Sequence, residues 1–203
     1  MRLLLPLLFL ALLALPAAAR PLGDPSVPFS ADRTVTVGSR TYAGKLYAVP
    51  GRQRHEQVVD GIEQVVILHD ADARGWLVIP AIHAYVEFGI GPILAELEDS
   101  ELLSTPLGAE TIEGRPTTKY RVEHEARNGA MVDGYLWLTR EGIPMRLDGM
   151  YTPPHGGRST AFRMTLSHLR LAPQDAALFA VPQGMTKLPL GALAPLLGLA
   201  PMR

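Results

Sequence analysis

Six histidines and twenty acidic residues carry whatever acid–base or metal chemistry this 203-residue chain can perform. Their spacing supports little of it. His55-Glu56 and His124-Glu125 each begin like the zinc-protease helix motif, in which a second histidine one turn later completes the metal site. The completing positions hold Val59 and Asn128, and both segments have strand-like sequence, so the ligand geometry is missing. His69, Asp70 and Asp72 lie close together at a strand end and offer imidazole and oxygen ligands, but an aspartate-rich turn is ordinarily a solvated hairpin. His83, His155 and His168 have no ligand spacing. No serine sits in a Gly-x-Ser-x-Gly elbow, and no glycine-rich loop leads from a strand into a helix. With no cysteine at all, thiolate catalysis, disulfides and cysteine-ligated metals are excluded, and stability must come from packing. The sequence predicts no catalytic residue, no metal site and no cofactor.

Most of the segments that would have to position any site read as strands. Phe29, Ala31, Val35 and Val37 alternate with Ser30, Asp32, Thr34 and Thr36, the period of a half-buried strand. Runs at Thr41–Val49, Arg54–Val59 and Ile62–His69 follow, punctuated by Pro50-Gly51 and by Asp60-Gly61, a strong hairpin dipeptide. Arg74–Ile79 is stopped by Pro80, and Ala81–Phe88 has the spacing of a short helical turn. Ile90, Ile93, Leu94 and Leu97 form one apolar stripe opposite Glu96, Glu98 and Asp99, which predicts a helix running to about Leu103, with Pro92 at a first-turn position. Strands resume at Thr118–Val122, Met131–Thr139, Ile143–Tyr151 and Ser159–Leu171, with Glu141-Gly142 and His155-Gly156-Gly157 as turns. In the last run Phe162, Met164 and Leu166 share a face, with Arg163, Thr165 and Ser167 on the other. Roughly nine strands around one helical block predict a mainly β fold with minor α: a strongly curved antiparallel sheet or half-open barrel with a helical lid.

The ends differ in character. Arg2, the apolar run Leu3–Leu15, Pro16 and Ala17-Ala18-Ala19 have the layout of a secretory signal peptide, too short in its apolar part to span a bilayer as a mature helix. No cysteine follows for acylation. The expected product is therefore soluble, periplasmic in a Gram-negative cell, with no stable membrane insertion after cleavage. Residues 1–19 are the signal, 20–28 a proline-rich lead-in, 29–185 the folded domain, and 186–203 an apolar Leu/Pro-rich tail. That tail is either a strap across the sheet or a mobile extension. The strap is the expectation, since a free apolar tail invites aggregation. Removing Arg2 leaves 18 basic against 20 acidic residues, formally −2, which offers nothing to nucleic acid or to anionic membrane surfaces.

The strands hold more apolar surface than a one-sided sheet needs. A curved sheet leaves a concave face that one helix covers only in part, and such a face is a natural cavity for lipid or acyl chains. The residues expected to line it are Trp76, Val78, Tyr85, Phe88, Leu94, Leu97, Tyr120, Leu136, Met145, Leu147, Phe162, Met164 and Leu166. Flexible thioethers suit ligands of varied shape.

Several runs also resemble a family. YAGKLYAVPGRQRHEQVVDGIEQVVILHDADARGWLVIPAIHAYVEF is similar to the front half of LolA-like proteins. ETIEGRPTTKYRV, GYLWLTREGIPMRLDG and ALFAVPQGM resemble the back half, closing on Phe179-x-x-Pro182-x-Gly184. The resemblance spans about Phe29 to Met185 and points to uncharacterised exported members. It implies a half-open antiparallel barrel whose helices lid an apolar cavity; the named carriers of the superfamily shelter lipoprotein acyl chains in the periplasm. The carriers' functional arginine is not carried over to Arg52 or Arg54, because a surface arginine on a hairpin is the commoner explanation for both. A single clear helix and the leucine-proline tail depart from the family pattern. The expected function is hydrophobic-ligand binding without catalysis, with lipid or acyl chains as ligand. The alternatives are an envelope protein–protein interaction or scaffold module, and a hydrolase using carboxylates or His69.

Overall fold

The computed structural model describes residues 25–91, 103–154 and 157–193. Twelve strands form one sheet: β1 (Phe29–Val37), β2 (Arg40–Val49), β3 (Arg52–Val59), β4 (Ile62–His69), β5 (Arg74–Ile79), β6 (Ala84–Gly89), β7 (Leu103–Ile112), β8 (Arg115–Glu125), β9 (Met131–Leu138), β10 (Pro144–Thr152), β11 (Thr160–Leu171) and β12 (Thr186–Lys187). Their order is β12-β6-β5-β4-β3-β2-β1-β11-β10-β9-β8-β7. All neighbours are antiparallel except β12, which joins β6 in parallel. Two meanders are thus fused through a β1–β11 seam that runs from Phe29 opposite Leu171 to Val37 opposite Phe162.

The mainly β, curved and open antiparallel sheet expected from the sequence is what forms, and it does not close into a barrel. Chain connectivity favours the curvature. From β6 to β7 there are ten inter-strand steps, a flat width of roughly 48 Å. The fourteen residue steps from Gly89 to Leu103 reach at most about 46–50 Å fully extended. Only a bent sheet brings the two edges comfortably within reach.

Local chemistry sets the hairpins. Asp60 and Gly61 both take positive φ (50° and 81°), the primed turn that the dipeptide predicts between β3 and β4. Glu113 and Gly114 (48° and 73°) do the same between β7 and β8. Ala81–Phe88 is not a helical turn. Pro80–Ile82 make one 3-10 turn, His83 resets the chain at φ 48°, and Ala84–Gly89 is strand β6. The predicted helix falls mostly outside the described residues, as do Leu94, Leu97, the signal segment, His155-Gly156 and residues 194–203.

A bulge in β11 governs which residues face inward at the seam. Ser30 pairs with Arg170 but Asp32 pairs with Ser167, so β11 carries one extra residue, and His168 sits there at φ 51°. The alternation of Phe162, Met164 and Leu166 therefore continues inward at Leu169, and His168 is turned out to Asp32 (Nδ1 to Oδ2, 2.9 Å).

Candidate functional site

Pairing register assigns every strand residue to one of two faces, since directly opposed residues share a face. The inner face carries a large apolar cluster from β1, β2 and β8–β11, including Phe29, Val35, Leu46, Leu136, Met145, Leu147, Phe162, Met164 and Leu166. Tyr120 packs against it, half-buried. A smaller cluster on the same face of β4–β6 contains Val66, Leu68, Leu77, Ile79 and Val86, with Phe88 against it; the pairs Leu46–His55, His55–Val66, Val66–Leu77 and Leu77–Val86 fix this continuity. Trp76, Val78 and Tyr85 are elsewhere. They lie on the outer face with Val65 and Ile67, under Val181 and Met185. The described inward set therefore unites eight of the residues expected to line the cavity, Phe88, Tyr120, Leu136, Met145, Leu147, Phe162, Met164 and Leu166, without those three.

Val181 and Met185 belong to the segment that follows β11. Its 3-10 turn Ala176–Phe179 crosses the back of β3 and β4, where the Phe179 carbonyl accepts from His69 Nε2 (2.7 Å) and the Leu178 carbonyl from Arg54 Nη1 (3.2 Å). The chain then adds Thr186–Lys187 to the sheet edge, pinned by Leu188 N–H to the Tyr85 carbonyl (2.8 Å). His69 thus holds this strap, stacks edge-on against Trp76 and approaches Asp72 (3.4 Å). No group of three or more metal-ligating side chains is found among the described residues.

Between the two inner apolar clusters runs a belt of buried polar side chains: Arg33 on β1, Gln53, His55 and Gln57 on β3, and Gln64 on β4. Arg33 is 2% exposed and His55 is fully buried. Arg33 reaches them across β2 because Gly44, opposite both Arg33 and Gln57, has no side chain to intervene. A Cβ at Gly44 would also run into the Glu56 carbonyl oxygen. Arg33 Nη1 donates to His55 Nδ1 (2.8 Å) and Nη2 to Gln57 Oε1 (2.9 Å). A guanidinium can only donate, so His55 Nδ1 is the acceptor. The ring proton therefore sits on Nε2, which donates to Gln53 Oε1 (3.0 Å). Burial, and then the neighbouring Arg33 charge, hold His55 well below its usual pKa, and burial lowers Arg33 to about 10. At neutral pH the belt therefore carries one fixed positive charge and a neutral imidazole. With its free lone pair engaged by Arg33, His55 is a structural acceptor rather than a proton carrier.

Sequence reasoning misses this belt. Its one signal is a charged residue at an inward position of the Phe29–Val37 alternation, repeated by Gln53, His55 and Gln57 two strands away. On the outer face, Ser30, Asp32, Lys45, Tyr47, His168 and Arg170 line an open, charged groove of about 480 Å³.

No family model matches the sequence, and no curated protein matches it. Solved structures do match. An uncharacterised conserved protein from Thermus thermophilus is 13% identical, with a TM-score of 0.54 over 81% of this chain and 91% of that one. The Pseudomonas aeruginosa MucA/MucB complex is matched at 16% identity and a TM-score of 0.46, over 77% of this chain and 56% of that one. The LolA superfamily protein NE2245 from Nitrosomonas europaea follows at 8% identity and 0.40, over 78% and 92%. At such identities the likeness is one of fold alone, and the fold of this chain is one open, curved, almost wholly antiparallel sheet.

Proposed function

We propose that this chain is an exported, non-catalytic binding protein that holds lipid or lipoprotein acyl chains against the concave face of its sheet. The observation that carries the reading is the inner face itself, apolar on both sides of one polar belt in a sheet that never closes. Each methylene taken up there contributes about 0.8 kcal/mol, so one acyl chain supplies ample affinity without chemistry. The residues that would hold it are Phe88, Tyr120, Leu136, Met145, Leu147, Phe162, Met164 and Leu166. Trp76, Val78 and Tyr85 anchor the strap on the other face. The test is to purify the mature protein from its native envelope, extract it with organic solvent and identify the extract by mass spectrometry. Acyl lipid in near-stoichiometric amount is expected. A lipid-free protein that also takes up no fluorescent fatty acid would end the proposal.

A second reading, an envelope protein–protein interaction module, is favoured by the outer face of β9 and β10. There Met131, Tyr135 and Met150 are exposed large apolar side chains on one surface. Replacing all three by serine should abolish partner capture while leaving fatty-acid uptake intact.

A further inference from the structure

Among the described residues, Arg33 is the one Lys, Arg, Asp or Glu that is buried, and no carboxylate there pairs with it. Buried charges are normally paired, because desolvating a lone ion is expensive. His55 and Gln57 accept one hydrogen each from the two terminal nitrogens, yet both acceptors are neutral. Nε has no partner among the described residues. Nε and Nη2 together form the edge by which a guanidinium grips a carboxylate or phosphate with two parallel bonds, and on that edge Nε is free among the described residues while Nη2, with two hydrogens, bonds Gln57 through one. That edge belongs to a side chain fixed on two strands, midway between the apolar clusters where an acyl chain would lie.

We propose that Arg33, oriented by His55 and Gln57, is the recognition site for the anionic head of a single-chain lipid, a carboxylate or a phosphate monoester, whose hydrocarbon tail lies along the inner apolar face. The proposal rests on the lipid-binding reading and adds a head-group preference to it. It also accounts for Gly44, which leaves the path from β1 to β3 open. The neutral His55 completes the arrangement by holding the guanidinium in place without adding a second charge.

The test compares three probes sharing a sixteen-carbon chain: palmitate, hexadecyl phosphate and hexadecanol, titrated against delipidated protein by displacement of a fluorescent fatty acid. Wild type is expected to bind one or both anions at least tenfold more tightly than the alcohol; which anion leads tells carboxylate from phosphate. Arg33→Met should remove the preference, bringing all three to the alcohol's affinity. Arg33→Lys, which keeps the charge but loses the fork, should keep part of it. If none of the three binds, the lipid-binding reading itself fails. Equal binding of all three to wild type overturns the Arg33 proposal alone, and that comparison needs no variant to fold. A preference that survives Arg33→Met also overturns it. A last arm addresses an internal counter-ion from the chain between β6 and β7. Neutralising Glu96, Glu98, Asp99 and Glu101 to their amides should leave both the preference and the melting temperature unchanged. A melting shift that fails to add to that of Arg33→Met would instead identify one of those carboxylates as the partner and refute the proposal.

Discussion

If the Arg33 belt exists to meet a ligand, replacing it wholesale should stabilise the empty protein. The perturbation is Arg33→Met, His55→Leu and Gln57→Leu together. Burial lowers the Arg33 pKa from the ordinary guanidinium range to about 10, and at about 1.36 kcal/mol per unit the charge is held at neutral pH against roughly 3 kcal/mol. Removing the donor and both acceptors at once leaves only the Gln53 contact to His55 broken, an offset of about 1 kcal/mol. The triple variant is therefore expected to gain about 2 kcal/mol, in the range seen when buried polar clusters give way to apolar ones. Arg33→Met alone should gain much less or lose stability, because it strands His55 Nδ1 and Gln57 Oε1 without donors at about 1–3 kcal/mol each. Urea unfolding of delipidated protein, followed by far-UV circular dichroism, reads this as a shift in midpoint at constant slope. A triple variant less stable than wild type by more than about 1 kcal/mol would show that the belt is required by the fold and refute the reasoning.

Protonation offers an independent measurement: with folded His55 held below 6.5, the unfolded chain binds a proton that the folded one refuses. Stability should be full above pH 6.5 and fall by up to about 1.4 kcal/mol per unit as pH drops below it, and His55→Leu should flatten that limb; parallel limbs in the two proteins would remove His55 as the cause. Gly44→Ala should cost more than about 2 kcal/mol, because its Cβ would displace the Glu56 carbonyl, whereas Gly51→Ala, in open space at φ 72°, should cost about 1 kcal/mol of backbone strain; equal losses in urea midpoints would contradict this. On the inner face, Phe162→Ala should lose about 3–5 kcal/mol while Thr165→Asp stays within about 0.5 kcal/mol, and a comparable loss at both would invert the face assignment. His69→Ala should speed hydrogen exchange across residues 176–188 and leave β9 and β10 unchanged, since it removes the bond to Phe179; unaltered exchange would disconnect His69 from the strap.

Where one sheet face is apolar and the other polar, the alternation is readable directly: Phe162, Met164 and Leu166 fall together, and the Asp60-Gly61 turn lies where its dipeptide puts it. Periodicity fails where the burial is two-sided. β4 is buried across Val65, Val66, Ile67 and Leu68, so alternation carries no face information there. Trp76, Val78 and Tyr85 are consequently assigned to the wrong side of the sheet by pattern alone. Their position depends on the strap, whose contacts arise more than a hundred residues away in sequence. Arg33 escapes notice because its partners are 22 and 24 residues distant and polar themselves, which makes β3 look outward-facing. β6 resembles a helical turn because Pro80–Ile82 does make a single turn before His83 redirects the chain.

The β1–β11 seam carries a kinetic consequence. Apart from the short β12, each meander consists of hairpins between sequence neighbours and can zip locally, but the seam joins residues up to 142 positions apart, Phe29 to Leu171. Loop-closure entropy makes such pairing slow, so the two halves should preform and dock late. Arg33 lies on that seam, opposite Leu166, so a chain cut short before β11 would leave the guanidinium lining a raw edge. The buried cation is therefore a product of complete synthesis, assembled only once the last long strand has arrived.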